Sequence, residues 1–191
     1  MKLYTTLRSP YARKVRIVLA EKGIAYEPVV VDLAARTDAF WAMAPIGKIP
    51  VLEVDGLVIP DSTTICEYLE DHHPTPPLYE RDRTRCRILE ELGDAVSDCA
   101  VGAFHARSDG HDAEVATLLA SAARILRHLA IRRDADDWPP GFTVGDASVL
   151  SALGYLSFRH GEGWREAHPT LARWFDGLAG RPSVAATVPT S

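Results

Sequence analysis

Along the first eighty residues the apolar positions switch repeatedly between an alternating spacing and a helical one. Residues 2–6 read as a short strand. Ser9-Pro10 then opens a helix, because serine is a strong N-cap and proline fits the first helical position. Val15, Val18 and Leu19 give that helix an apolar stripe, and Gly23 is a suitable stop. Residues 26–31, rich in β-branched side chains, form a second strand, and residues 33–44 a short irregular helix carrying Phe40 and Trp41. Val51-Leu52-Glu53-Val54, Asp55-Gly56 and Leu57-Val58-Ile59 spell a hairpin with an Asp-Gly turn. Asp61-Ser62 caps the next helix, whose Ile65 and Leu69 lie one turn apart and which ends before Pro74. Two strands joined by a helix pair in parallel through a right-handed crossover, and the hairpin extends the sheet antiparallel.

Pro74-Thr75-Pro76-Pro77 neither continues a helix nor pairs in a sheet, so it reads as a linker. Beyond it the spacing is helical throughout. Residues 82–106 and 112–132 are long helices, and residues 134–142 are a polar break. Thr143-Val144-Gly145-Asp146 matches a capping box ahead of an apolar helix through Val149, Leu150, Leu153, Tyr155 and Leu156. His168-Pro169 opens a last helix with Leu171, Trp174, Phe175 and Leu178, stopped near Gly180-Arg181-Pro182. The chain therefore divides into an α/β unit, residues 1–78, and an all-helical unit, residues 79–191.

Composition narrows the function. With 191 residues, 47% of them hydrophobic, the chain can bury a core without a metal or disulfide staple. A net charge of -5 argues against nucleic acid, which calls for a basic face. Arg81, Arg83, Arg85 and Arg87 spread around a helix as a solvated surface, with Arg87–Glu91 as an i,i+4 pair. Cys66, Cys86 and Cys99 form no Cys-x-x-Cys pair, which fits a reducing compartment. Arg8, Arg13, Lys14 and Arg16 interrupt any signal-like apolar run, and no run reaches a membrane span. The expectation is a cytoplasmic protein that is not membrane-bound. The histidines, including adjacent His72-His73, lack ligand spacing, so no metal is expected.

Three short segments could carry chemistry. Ser9 lies where a strand gives way to a helix N-terminus, which favours negative charge; its hydroxyl can accept the capping bond and still donate outward. Ile49-Pro50 precedes a strand and would expose the backbone of residue 49 if the peptide were cis. Asp61-Ser62 offers a carboxylate and a hydroxyl at a helix start. Each alone is ordinary punctuation.

Their order, with Gly47-Lys48-Ile49-Pro50-Val51-Leu52 between them, resembles the glutathione S-transferase family. Ser9-Pro10-Tyr11-Ala12-Arg13-Lys14-Val15-Arg16, Asp61-Ser62-Thr63-Thr64-Ile65-Cys66-Glu67-Tyr68-Leu69, Thr143-Val144-Gly145-Asp146 and His168-Pro169-Thr170-Leu171-Ala172-Arg173-Trp174 carry the resemblance along the chain. It implies a thioredoxin-like N-terminal domain with a mixed four-stranded sheet, an all-α C-terminal domain, a homodimer, and glutathione as co-substrate rather than a bound cofactor. Carried over, Ile49 pairs its backbone with the cysteinyl unit beside a cis Pro50. Asp61 and Ser62 hold the γ-glutamyl end, and Lys48 meets the glycyl carboxylate. Ser9 donates to the sulfur and so is the catalytic candidate. Tyr11, Phe104, His105 and Arg107 are the candidates for a second-substrate pocket between the domains.

The sequence departs from the family in telling places. Tyr4 falls inside the first strand, where other members carry a tyrosine hydroxyl after it, and serine stands at position 9 where others have cysteine. Thiol–disulfide chemistry through an enzyme cysteine is thereby disfavoured. The reading is a transferase that attacks a small, largely apolar electrophile with glutathione thiolate. The alternatives are a non-catalytic binding or regulatory protein of the same fold, and a glutathione-dependent reductase or dehalogenase.

Overall fold

A computed structural model describes residues 1–79 and 82–190; Arg81 and the last residue of the second unit lie outside the described residues. The strands are β1 (Lys2–Thr5), β2 (Glu27–Val30), β3 (Val51–Val54) and β4 (Leu57–Pro60). Between and after them run α1 (Pro10–Glu21), α2 (Asp38–Met43) and α3 (Ser62–His72). From there every described element is helical: α4 (Arg83–Ser108), α5 (Asp112–Asp134), α6 (Val144–His160), α7 (Gly163–Ala167), α8 (Pro169–Ala179) and α9 (Pro182–Ala185). The order of the sheet is β2-β1-β3-β4, with β1 and β2 parallel and both pairs involving β3 antiparallel. The architecture is a four-stranded mixed sheet with its helices, followed by an all-helical domain.

Local chemistry explains most boundaries. Asp55 at φ 49° and Gly56 at φ 81° make the tight turn between β3 and β4. Ser9, Thr37, Asp61, Asp82 and Thr143 each accept a backbone N–H as N-caps, and Thr143 and Asp146 close a full capping box. Two short helices were not read from the pattern. α7 has five residues and α9 four, too few for a helical period to show, so the chain does not stop being helical at Gly180.

One apolar core crosses from the sheet into the helices. Leu3, Val15, Val18, Leu52, Ile65 and Leu69 are in contact with Cys86, Val144 and Ala147, the last three from the first turns of α4 and α6. A second cluster fills the space among α4, α5, α6 and α8, around Leu89, Val96, Leu129, Leu153 and Leu171. The proline-rich segment is tied down by Glu70, which accepts from Leu78 N at 3.1 Å and pairs with Lys22 Nζ at 2.7 Å. Lys22 also donates to His73 O and Pro76 O.

Polar pairing differs from the expectation at Arg87. Its guanidinium meets Glu90 Oε2 at 2.8 Å, an i,i+3 contact, because Glu90 is the buried carboxylate of this turn and Glu91 is exposed to solvent. No described helix is long and apolar enough to cross a membrane. Among the described residues no group of three or more His, Cys, Asp or Glu is placed to hold a metal.

Candidate active site

The register places the three chemical segments beyond one end of the sheet. Tyr4 is opposite Val51, and Val51 is opposite Pro60. The chain leaving β1 toward Ser9, the chain entering β3 from Ile49-Pro50, and the chain leaving β4 into Asp61-Ser62 therefore share that end.

Ser9 caps α1 in an extended conformation (φ -69°, ψ 127°), its Oγ accepting from Ala12 N at 3.2 Å. Its own N–H donates to Thr6 Oγ1 at 3.2 Å. Among the described residues the Ser9 hydroxyl proton meets no acceptor. The first turn of α1 carries no acidic side chain, so the positive end of the helix dipole there is uncompensated. An anion beside Ser9 is favoured.

The Ile49-Pro50 peptide is cis. Ile49 N–H and C=O enter no hydrogen bond with described residues. Gly47, at φ +69°, starts this segment; a Cβ there would lie 2.3 Å from the Trp41 ring, so only glycine lets the loop pass beneath that indole. Lys48 is exposed and unpaired among the described residues.

Asp61 sits at φ 72°, ψ 133°, a region that non-glycine residues rarely adopt. Its Oδ1 accepts from Thr63 N at 2.8 Å and Thr64 N at 3.3 Å, which leaves Oδ2 for another partner. Ser62 is 4% exposed, and its hydroxyl has no hydrogen-bond partner among the described residues.

A polar cluster that sequence reasoning missed fastens these segments together. Lys14 is fully buried on α1, and its Nζ donates to Asp94 Oδ2 at 2.6 Å, Glu90 Oε1 at 2.9 Å and Thr63 Oγ1 at 3.2 Å. Thr63 adjoins Ser62, so one ammonium links the helix carrying Ser9 to the start of α3 and to α4. Burial penalises that ammonium, but the Asp94 and Glu90 carboxylates outweigh it and hold its pKa above the usual lysine value. Tyr79, Arg87 and Ser148 supply further hydrogen bonds to the two acids. A signal was present: Lys14 stands one turn before Val18 on the apolar stripe, and Glu90 and Asp94 are one turn apart on α4.

The second-substrate candidates divide. The Tyr11 hydroxyl donates to Asp98 of α4, and burial together with that carboxylate pushes its phenol well above the usual tyrosine value. Phe104 is half-buried, with the Arg159 guanidinium over its ring. Tyr155 of α6 is hydrogen-bonded to Arg159 and lies within electrostatic reach of Tyr11, which connects these residues. His105 is exposed and touches only the edge of Phe104, and exposed Arg107 contacts His160 Nδ1 at 3.3 Å, so neither is brought to Tyr11. Tyr4, by contrast, turns away from the site to donate to Glu53 Oε2 at 2.8 Å.

Two cavities lie elsewhere. One of about 480 Å³ is lined by Trp138, Phe142 and Trp174, and one of about 330 Å³ by Arg13, Phe158 and Phe175; neither touches Ser9, Ile49 or Ser62. Cys66 is buried beside Lys14, and burial pushes its thiol up, so it offers no nucleophile.

Comparisons with known proteins identify the family and the fold. Residues 3–77 match the family model for the glutathione S-transferase N-terminal domain, and residues 108–177 the one for its C-terminal domain. The chain is 32% identical to the uncharacterised GST-like protein YibF of Escherichia coli K12, over 99% of this chain and 98% of that protein. It is 35% identical to pyrimidodiazepine synthase of Drosophila melanogaster and 38% to maleylacetoacetate isomerase of Pseudomonas aeruginosa. Those two matches each cover 60% of this chain, but only 48% and 59% of the relatives' own length. A glutathione S-transferase from Methylobacillus flagellatus, solved with glutathione bound, superposes with a TM-score of 0.91 at 36% identity, covering 99% of both chains. The chain belongs to the glutathione S-transferase family.

Proposed function

We propose that the protein binds glutathione at the sheet end shared by Ser9, Ile49 and Asp61-Ser62, and presents its thiolate to a small, largely apolar electrophile. The observation that carries this reading is the convergence of unused polar groups there: the Ser9 hydroxyl proton, both backbone groups of Ile49, and the Ser62 hydroxyl. Ile49 would pair with the cysteinyl unit. Ser62 and the free Oδ2 of Asp61 would hold the γ-glutamyl carboxylate and ammonium, and Lys48 the glycyl carboxylate.

A thiol with a pKa of about 8.5 is only a few per cent ionised at neutral pH. Lowering it by about two units, worth roughly 2.7 kcal/mol, makes thiolate dominant. A hydrogen bond to a charged group contributes about 1.5–3 kcal/mol, and a helix N-terminus about 0.3–1. Ser9 and the start of α1 together reach the required size. The thiol proton leaves to solvent, the sulfur forms a bond to the electrophilic carbon, and the leaving group departs with its electron pair. The homodimer and the cytoplasmic setting belong to the same reading.

The match to maleylacetoacetate isomerase favours a second reading on the same site. In that reading the thiolate would add to a carbon–carbon double bond of the substrate and be expelled again, so that glutathione is returned. A glutathione titration by calorimetry tests the site common to both. Binding is expected, and Ser62→Ala should weaken it by about tenfold through loss of a charge-assisted hydrogen bond. No binding at millimolar glutathione would instead favour a non-catalytic protein of this fold.

A further inference from the structure

Arg159 is held in an unusual way on α6. Its guanidinium carbon lies 4.4 Å from the centroid of Phe104 and 4.2 Å from that of Phe158. Its guanidinium is hydrogen-bonded to the Tyr155 side chain, its Nε is buried without a partner, and among the described residues no carboxylate pairs with it. Two aromatic faces and the Tyr155 hydrogen bond therefore fix the plane of a cation that no described carboxylate neutralises. A planar fork so fixed is suited to a carboxylate, which it can meet with two parallel hydrogen bonds.

The position of Arg159 relative to Ser9 follows from its neighbours. Arg8 immediately precedes Ser9, and Tyr155, one turn before Arg159 on α6, lies within electrostatic reach of both arginines and of Tyr11. Tyr11 meets α4 at Asp98, and Phe104 is six residues further along that helix, about 9 Å of rise. A wall thus runs from the thiol position past Tyr11 and Tyr155 to the clamped guanidinium. Carboxylates of this region are already engaged: Asp98 by Tyr11, Asp94 by Lys14 and Ser148, and Glu162, three residues beyond Arg159, by Arg165 and Ser157.

We infer that the second substrate is an electrophile bearing a carboxylate, with its apolar body along Tyr155 and Phe104 and its carboxylate on Arg159. Arg8, at the mouth of the site, adds long-range attraction. The inference rests on the transferase reading for the place of the sulfur, and it makes Arg159 a specificity-determining residue.

The test uses 4-chloro-3,5-dinitrobenzoate and its neutral carboxamide. In both, the thiolate attacks the chlorine-bearing carbon, a carbon–sulfur bond forms and chloride leaves with the bonding pair. The acceleration over the uncatalysed reaction should be at least about tenfold greater for the carboxylate. Arg159→Met should erase that ratio, while Arg173→Met, which removes a charge far from this wall, should preserve it. Because the ratio is internal, a variant that folds poorly lowers both rates and leaves the ratio readable. Equilibrium binding of the two glutathione conjugates reads the same contrast without turnover. An equal response to both compounds, or a preference that survives Arg159→Met, would overturn the carboxylate site. Tighter binding of the carboxylate conjugate with no turnover of either electrophile would uphold it and overturn the transferase reading.

Discussion

Lys14 has both of its carboxylate partners within 2.9 Å and no exposed surface, so its environment can be tested by a single substitution. Lys14→Met removes the cation and strands Glu90 and Asp94 in the interior. Breaking a buried pair in this way costs about 3–5 kcal/mol. Denaturant unfolding should show a loss of that size, and Lys14→Met combined with Asp94→Asn should lose less than the two singles added. The sign with pH is also set. The folded pKa of Lys14 lies above its unfolded value of about 10.4, so its stabilisation is complete below that value and fades as pH rises through the folded one. Asp94 is raised by burial, which Lys14 offsets only in part. At this scale the sequence was only partly legible. Ser9 and Asp61 could be read as caps because a cap is a local pattern. The partners of Lys14 lie 76 and 80 residues away, and Arg87 chose Glu90 over Glu91 for a burial that only the packed helix defines.

Between elements, the tightest constraint is the crossing of α4 over α6. A Cβ on Gly93 would meet Ser148 Oγ at 2.4 Å and the backbone N of Val149 at 2.7 Å, so the two helices touch where α4 has no side chain. Gly93→Ala should force them apart, at a cost of about 1–3 kcal/mol or more. Gly102→Ala is the comparison: its Cβ meets only the flexible end of Leu118, at 3.2 Å. Thermal unfolding should therefore drop clearly for Gly93→Ala and stay near wild type for Gly102→Ala, where gained helix propensity offsets the crowding. The elements themselves were mostly readable. The hairpin announced itself through Asp55-Gly56, and α6 through its capping box, because both signals are local. α7 and α9 escaped because four or five residues cannot display a period, and the Trp138 indole bonded to Asp146 Oδ1 at 2.8 Å is a tertiary contact. Likewise, apolar spacing located α4 and α6 but not the faces that put Tyr11, Tyr155 and Arg159 on one wall.

At the scale of the whole molecule, Arg181 grips Glu21 through two hydrogen bonds of 2.6 Å, and Ser183 adds a third, docking the segment around α9 against the end of α1. Burial alone would raise the Glu21 pKa, but these donors outweigh it and the net shift is downward. That stabilisation is present above the unfolded carboxylate value of about 4.3 and is lost as pH falls through the folded one. Glu21→Gln should cost about 1–2 kcal/mol at neutral pH and flatten the acid limb of a plot of stability against pH. The candidate site is itself a whole-molecule feature, since β1, β3 and β4 deliver Ser9, Ile49 and Asp61-Ser62 to one end of the sheet. The order of those segments was visible in the sequence, whereas their convergence needed the register. The central claim is that this end of the molecule turns glutathione thiol into thiolate through Ser9. It is tested most directly by titrating the ultraviolet absorbance of bound glutathione thiolate against pH, in the wild-type protein and in Ser9→Ala. The wild type should titrate about two units below the free thiol's value of about 8.5, and Ser9→Ala should return at least about one unit of that shift. Bound glutathione that titrates like the free thiol, or identically in both proteins, would contradict the claim.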